Sequence, residues 1–194
     1  RFDQLHDMKV KKNQILIMPT WRMYIRNEIS ASDHELEAQK FMETDYYRYW
    51  DALLKDERLI RYIEENDLQI IFYPHREMHE AEDQTRCREH MHRFLKYFHV
   101  DHPKITVASW PEYDVQTLLK ESAVLVTDFS SVAMEFMYMK KPLVYYQFDN
   151  EKFRQSHHQI GYFDFRKDGF GPVCVTEQEV TDWLIRLHKQ GFAN

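Results

Sequence analysis

The sequence predicts an α/β domain with a doubly wound, mainly parallel sheet. Short, continuous apolar runs recur along the chain, at Ile15 to Met18, Leu68 to Tyr73, Ile105 to Ala108, Ala123 to Val126 and Leu143 to Tyr146. Continuous runs are typical of strands that are buried on both faces. Segments with helical spacing lie between them, and strands that alternate with helices favour a parallel sheet covered on both sides. Ligands bind such sheets beyond the carboxyl ends of the strands, so the loops after the runs are the places to search.

Helices are predicted in the intervening segments from the spacing of apolar residues at three and four positions. They cover Tyr46 to Glu65, a short turn from Asp114 to Lys120, and Met134 to Met139. Glu77 to His102 is rich in His, Glu, Arg and aromatic residues and is interpreted as an amphipathic helix. A C-terminal helix is expected from about Thr176, because acidic residues follow this threonine in the pattern of a capped helix.

Length and composition favour a single globular domain. The chain has 194 residues, of which 43% are hydrophobic and 30% are charged, and no run approaches the roughly 20 apolar residues that a membrane span needs. We therefore expect a soluble segment. A net charge of -6 argues against the broad basic face of a nucleic-acid-binding protein. Cys87 and Cys174 are far apart and fit neither a disulfide framework nor a zinc site, which favours a reducing compartment such as the cytoplasm.

The chain starts without methionine and passes through a charged stretch before the first apolar run. We interpret residues 1–14 as a linker of an excised fragment and residues 15–194 as the domain.

The most informative stretch runs from a buried strand through a polar turn into a helix, with the sequence Thr127-Asp128-Phe129-Ser130-Ser131. The first turn of a helix offers unpaired N–H groups and the positive end of the helix dipole, which favour an anionic phosphate. Ser130 and Ser131 are the candidate phosphate ligands, although one of them could simply cap the helix. Glu135 lies about one turn further and could accept hydrogen bonds from ribose hydroxyls, or it could be a solvated surface carboxylate.

Two other predicted strands end in candidate site residues. His75 follows Pro74 after the second run, where an imidazole could donate to a pyrophosphate oxygen or protonate a leaving phosphate. His75 and His79 have metal-ligand spacing, but no third ligand completes a site, so no metal is predicted. Thr20 and Arg22 follow the first run, and the planar fork of arginine suits an oxyanion. A structural or merely exposed role remains open for His75, and a surface position remains open for Arg22.

Glycines near the C-terminus indicate a loop that approaches something closely, or turns without a ligand. They lie in Gly161-Tyr162-Phe163-Asp164 and Gly169-Phe170-Gly171-Pro172.

Segments in a matching order along nearly the whole chain resemble the CDP-glycerol glycerophosphotransferase family of bacterial teichoic-acid and capsule enzymes. The matching segments are Arg1-Phe2-Asp3, Ile15 to Arg22 with its Pro-Thr-Trp-Arg end, Tyr73-Pro74-His75, Leu118-Leu119, Thr127 to Ser131, Lys141-Pro142, Gln147-Phe148-Asp149 and Gly169 to Pro172. Two positions depart from the family pattern. Many members carry Arg-x-His-Pro where this chain has Tyr73-Pro74-His75-Arg76, and many carry aspartate where Glu135 stands.

The resemblance implies one Rossmann-like half of a GT-B fold, in which two α/β domains face a cleft. This chain would be the C-terminal, nucleotide-binding half. His75, as the catalytic residue, and the helix start at Ser130 and Ser131 would contact the pyrophosphate, and Glu135 would contact the ribose. The remaining expected contacts are Thr127, Asp128 and Arg22, with possible loop contacts from Thr20, Arg76, Gln147, Gly169 and Gly171.

The implied reaction is transfer of a polyol phosphate from CDP-glycerol or CDP-ribitol, without a further cofactor. An acceptor hydroxyl of a polymer or lipid-linked chain would attack the β-phosphorus and release CMP. The base that activates the acceptor is expected in an N-terminal domain, so this chain alone should bind nucleotide without turnover. The whole protein would act in the cytoplasm at the inner membrane face. Two alternatives stay open, namely the donor domain of a UDP-sugar GT-B glycosyltransferase or epimerase, and a non-catalytic scaffold.

Overall fold

The computed structural model describes residues 9–29, 33–75, 92–156 and 163–193. In these residues six strands form one sheet: β1 (Lys11–Met18), β2 (Gln69–Phe72), β3 (Ile105–Val107), β4 (Ser122–Thr127), β5 (Leu143–Tyr146) and β6 (Val173–Cys174). The strand order is β3-β2-β1-β4-β5-β6, and every neighbouring pair is parallel. This is the doubly wound, Rossmann-like order, in which the chain reverses direction across the sheet between β1 and β4. The predicted fold class is confirmed.

The helices of the described residues lie between the strands. They are α1 (Met23–Ile29), α2 (His34–Glu43), α3 (Asp45–Leu54), α4 (Glu57–Glu65), α5 (Val115–Glu121), α6 (Val132–Tyr138), α7 (Asn150–Ser156) and α8 (Glu177–Lys189), with a 3₁₀ helix at His92–Tyr97. None of them is long and apolar enough to cross a membrane.

Alternate strand residues supply two separate cores, one on each face of the sheet. Ile15 and Ile17 of β1 pack with the larger core under α3, α4 and α8, whereas Leu16 packs on the opposite face with residues of α5 and α6. The central strand β4 is buried along its whole length. Continuous apolar runs therefore arise here because both faces of the sheet are covered.

All five apolar runs form strands. The structure shows a longer first strand than predicted and one additional strand. β1 begins at Lys11, inside the range that was predicted as a linker. β6 was missed because it has only two residues, too few to produce a sequence pattern.

The segment with helical spacing from Tyr46 to Glu65 is helical, and the structure divides it into two helices, α3 and α4. The division falls at Asp56, whose carboxylate accepts hydrogen bonds from the backbone N–H groups of Arg58 and Leu59. Thr181 of α8 also donates to this carboxylate, at 2.7 Å. Asp56 is thus an N-cap, which starts a new helix inside a continuous apolar pattern.

The segment predicted as a helix from Glu77 to His102 lies mostly outside the described residues. Its described part begins with the 3₁₀ helix His92–Tyr97, which places Phe94 in a stack on Phe41 with ring centroids 4.6 Å apart. The C-terminal helix is confirmed. Thr176 and Glu179 form a capping box at its start, and Val180, Leu184 and Leu187 are buried.

Candidate functional site

Three polar loops meet at the carboxyl edge of the sheet, because they follow the adjacent strands β1, β4 and β5. Thr20 and Arg22 come after β1, Asp128 comes directly after β4, and Gln147 and Asp149 come after β5. The position is the point where the strand order reverses, at which ligands of doubly wound sheets bind. The sequence places these residues up to 127 positions apart, and the sheet brings them together.

Arg22 is the centre of this cluster and has no exposed surface. Its Nε donates to Oδ2 of Asp149 at 2.7 Å and its Nη2 donates to Oδ1 at 2.9 Å, a bidentate pair. Its Nη1 lies 2.8 Å from Oδ2 of Asp128 and donates to the backbone oxygen of Thr20 at 2.7 Å. Tyr24 donates a short hydrogen bond to Asp149. Each guanidinium nitrogen therefore has a protein oxygen as its partner.

Charge and burial act in opposite directions on the ionisation of Arg22. Burial lowers the pKa of Arg22, but the carboxylates of Asp128 and Asp149 raise it by more, so the net direction is upward. Burial also raises the pKa of Tyr24, and the charge of Asp149 raises it further. Arg22 is consequently a permanent cation, and Tyr24 remains a hydrogen-bond donor.

Four aromatic rings surround the guanidinium. The centroids of Phe153, Phe129, Tyr46 and Phe148 lie 4.9, 5.0, 5.5 and 5.8 Å from its central carbon. Phe129 and Phe153 also stack on each other, with centroids 3.9 Å apart and planes 5° apart. These rings exclude water, which strengthens the charged hydrogen bonds inside the cluster.

Asp128 connects this cluster to the Thr127 to Ser131 turn. Its carboxylate accepts from the backbone N–H of Thr20 at 2.9 Å and from that of Phe129 at 2.7 Å. The amide nitrogen of Gln147 donates to the backbone oxygen of Asp128 at 2.9 Å. The Thr127 to Ser131 turn is thus held on one side by Thr20, which follows β1, and on the other side by Gln147, which follows β5.

The remaining turn residues differ in exposure. Thr127 is buried and donates its hydroxyl to the backbone oxygen of Met18 at 2.7 Å. Ser130 accepts a long hydrogen bond of 3.4 Å from the N–H of Val132. Ser131 is exposed and precedes α6, but its side chain makes no capping hydrogen bond. The serine hydroxyls are therefore not strongly committed to capping the helix, and phosphate contact by Ser130 and Ser131 stays a prediction.

Glu135 lies on α6 and faces a cavity of about 330 Å³ between α5 and α6. Gln116, Lys120 and Tyr138 are the other polar residues of its wall, and Leu119, Met134 and Met139 are the apolar ones. Carboxylate and amide groups can both form hydrogen bonds with sugar hydroxyls. The ribose contact remains a prediction.

His75 is exposed and follows β2 after Tyr73 and Pro74. Because β2 and β4 flank β1, His75 and the Thr127 to Ser131 turn follow strands on either side of the β1 loop. Arg76, His79 and Gly161 lie outside the described residues. In the described part of the chain, no group of three His, Cys, Asp or Glu residues could hold a metal ion.

Gly169 and Gly171 approach the backbone of the chain itself. A Cβ atom on Gly169 would lie 2.0 Å from the oxygen of Phe165, and one on Gly171 would lie 2.0 Å from the oxygen of Leu143. Close packing alone accounts for both glycines, and their contact with a ligand stays a prediction.

Comparison with known proteins identifies the family. Residues 3–193 match the family described as CDP-Glycerol:Poly(glycerophosphate) glycerophosphotransferase. The chain belongs to this family. One member, the minor teichoic acid biosynthesis protein GgaB of Bacillus subtilis (strain 168), is 32% identical over 192 residues, which cover 97% of this chain and 19% of GgaB.

Solved structures of the wall teichoic acid polymerase TagF share the fold. One TagF structure has a TM-score of 0.63 at 18% identity and covers 98% of this chain and 39% of the TagF chain. A TagF variant soaked with CDPG for 15 minutes has a TM-score of 0.60 at 17% identity, and the match covers 98% of this chain and 39% of the variant chain. The chain therefore spans about a fifth of GgaB and less than half of TagF. The glycerophosphotransferase domain has the architecture of one half of a GT-B fold.

The sequence did not single out Asp149 and Tyr24, which complete the buried cluster of this glycerophosphotransferase domain. Of the three residues that directly follow β5, only Gln147 was a predicted contact. A signal was nevertheless present, because Gln147-Phe148-Asp149 follows a fully buried strand and a carboxylate at that edge needs a partner. Nothing in the sequence assigns Arg22 as that partner.

Proposed function

We propose that this chain binds a CDP-polyol donor at the carboxyl edge of β1 and β4, within a protein that transfers polyol phosphate to a teichoic-acid-like or capsule polymer. Glycerol phosphate is the first choice of transferred group. The observation that carries the proposal is the Thr127 to Ser131 turn, which is fixed at the point of strand reversal in a glycerophosphotransferase-family chain. Such a position is where doubly wound sheets bind nucleotides.

The donor would lie across the residues of this edge. Ser130 and Ser131 would donate hydrogen bonds to the pyrophosphate, and His75 would neutralise charge on it from the other side of the β1 loop. Glu135 would accept hydrogen bonds from the ribose hydroxyls at the cavity between α5 and α6. The CDPG soak of a TagF variant supports a cytidine donor.

The reaction would be a displacement at phosphorus. The acceptor oxygen forms a bond to the β-phosphorus, and the bond from this phosphorus to the bridging oxygen breaks, so CMP leaves with the bonding electrons. His75 is suited to give a proton to the departing phosphate. The acceptor proton passes to a base that we place outside this chain. This chemistry depends mainly on positioning and charge neutralisation.

Calorimetry separates this proposal from its rivals. The chain should bind CDP-glycerol, CDP-ribitol or both more tightly than CMP, and it should respond weakly to UDP-sugars. Tight UDP-sugar binding without a cytidine response would instead make the chain the donor domain of a sugar transferase or epimerase. A chain that binds no nucleotide would fit a scaffold role.

A substitution tests the role of His75 in the protein that carries this chain. His75→Ala should lower kcat by about 10²-fold or more, because a positioned general acid contributes about that factor. The matched control is His99→Ala, since His99 is also exposed but lies before β3, at the opposite edge of the sheet. Equal activities of the two variants in a CMP-release assay would remove His75 from the mechanism.

A lipid-linked acceptor would bring the whole protein to the inner face of the cell membrane. The polymer or lipid-linked chain would reach the donor through a domain outside this chain.

A further inference from the structure

We propose that Arg22 is a positioning residue, which holds the Thr127 to Ser131 turn ready for the donor without contacting the donor itself. This inference rests on the proposed function and assigns Arg22 a different role from the phosphate contact that its residue type predicts.

The guanidinium has no free edge for a phosphate. Arginine has five N–H donors, and four of them are taken by Asp149, Asp128 and the backbone oxygen of Thr20. Aromatic rings lie within 6 Å of the guanidinium carbon, and Arg22 has no exposed surface. A donor phosphate would have to displace a buried carboxylate and leave it unpaired, which is costly.

The connection to the turn passes through Asp128. The same carboxylate that pairs with Arg22 accepts from the N–H of Phe129, directly before Ser130. Arg22 also fixes Asp149 and so ties the loop after β5 to the loop after β1. If the side chain of Arg22 no longer pairs with Asp128, the carboxylate of Asp128 is less firmly held. The N–H of Phe129 then loses an acceptor of fixed position.

The cluster depends on the shape of arginine as well as its charge. The planar fork pairs with Asp149 bidentately while Nη1 reaches Asp128, a geometry that the point charge of lysine does not reproduce. Two carboxylates face one cation, and the hydroxyl of Tyr24 donates to Asp149. The donated hydrogen bond compensates part of the second negative charge.

The test compares Arg22→Lys, Asp149→Asn and the double variant by NMR titration with CDP-glycerol and with cytidine. Each single variant should weaken CDP-glycerol binding about tenfold, as expected for the loss of a charged hydrogen bond. The double variant should bind CDP-glycerol about as weakly as the more affected single variant, because both substitutions act through the same turn. Cytidine has no phosphate, so its affinity should change less than about twofold.

Two further measurements accompany the titration. Amide exchange at Thr20 and Phe129 should become faster in both single variants, because Asp128 accepts from both N–H groups. Arg58→Lys is the matched control, since Arg58 forms an exposed ion pair with Asp182 on the surface. It should leave the affinities and the exchange at Thr20 and Phe129 unchanged. If Arg22→Lys does not fold, Tyr24→Phe perturbs Asp149 more gently and should show the same pattern with smaller changes.

The outcomes are distinct. If Arg22→Lys weakens CDP-glycerol binding while Asp149→Asn changes neither affinity nor exchange, Arg22 contacts the donor and the inference is wrong. Equal losses for CDP-glycerol and cytidine would show a merely structural role and would also overturn it. A wild-type chain that binds no cytidine nucleotide would contradict the proposed function, whereas wild-type binding that both variants retain would contradict the inference alone.

Discussion

Two buried cations, Arg22 and Lys141, lie at opposite edges of the same sheet. Arg22 follows β1 at the carboxyl edge and is bonded by two carboxylates. Lys141 precedes β5 at the amino edge, where it is 7% exposed. Its ammonium donates to the backbone oxygens of Leu119, Lys120 and Ser122, at 2.8, 2.5 and 2.8 Å.

Burial acts to lower the pKa of both cations, but the net pKa shifts lie in opposite directions because the partners differ. Burial is the larger influence on Lys141. It lowers the pKa of Lys141 to about 8, against a weak opposing effect of Glu121. For Arg22 the two carboxylates outweigh burial and raise the pKa. Lys141 closes the C-terminal end of α5, whose last carbonyls need donors. Arg22 instead joins three loops at the edge where we place the donor.

The largest expected effect is that of Arg22→Met on the free energy of unfolding. The variant leaves Asp128 and Asp149 buried without their cation, and removal of one partner from a buried pair costs about 3 to 5 kcal/mol. Urea denaturation at neutral pH measures the loss. Arg58→Met provides the control, because its exposed ion pair with Asp182 contributes at most about 1 kcal/mol. Similar losses in both variants would mean that the buried cluster contributes no more than a surface pair.

A smaller effect is expected for Lys141→Met. The substitution removes the donor for three backbone oxygens at the end of α5, and unsatisfied buried polar groups cost about 1 to 3 kcal/mol. Donor affinity should change less than it does in Arg22→Lys, because Lys141 bonds Leu119 and Lys120 in the wall of the cavity between α5 and α6 and does not contact the Thr127 to Ser131 turn. Denaturation and CDP-glycerol titration together measure this difference. A loss of donor affinity comparable with that of Arg22→Lys would remove the functional contrast between the two edges.

A third expected effect is a pH dependence of the Lys141 contribution to stability. The folded chain releases the proton of Lys141 near pH 8, whereas the unfolded chain holds it until about pH 10.4. Between these values the unfolded state binds more protons, so the Lys141 contribution to the free energy of unfolding rises with pH. The difference between wild type and Lys141→Met, followed by denaturation from pH 7 to pH 10, should shift in favour of the wild type. If the difference in unfolding free energy between wild type and Lys141→Met does not change with pH, burial does not lower the pKa of Lys141.

The fold could be predicted because its signals are local. Five continuous apolar runs marked β1 to β5, and the pattern from Thr176 to Glu179 marked the start of α8. The sequence did not show where a tertiary contact divides a continuous helical pattern. Asp56 divides α3 from α4 while it accepts a hydrogen bond from Thr181, 125 positions away.

The candidate site could be predicted only as a set of loops. Residues at strand ends, such as Arg22 and Asp128, were identified because parallel strands present their carboxyl ends at one edge. Their pairing with each other was not predicted, because Arg22 was considered only as a ligand contact or as a surface residue. An arginine after a strand has the same local pattern whether its partner is a phosphate or a carboxylate of the chain.

The sequence by itself determined that this protein is a parallel α/β domain, which segments form its first five strands, and that it resembles the glycerophosphotransferase family. These properties depend on periodicity, capping and motif order, all of which can be read from neighbouring residues. The tertiary structure decided that Arg22 pairs with Asp149, although 127 positions separate them. That contact exists because β1, β4 and β5 are neighbours in the sheet, and the order of strands is fixed only when the whole core packs.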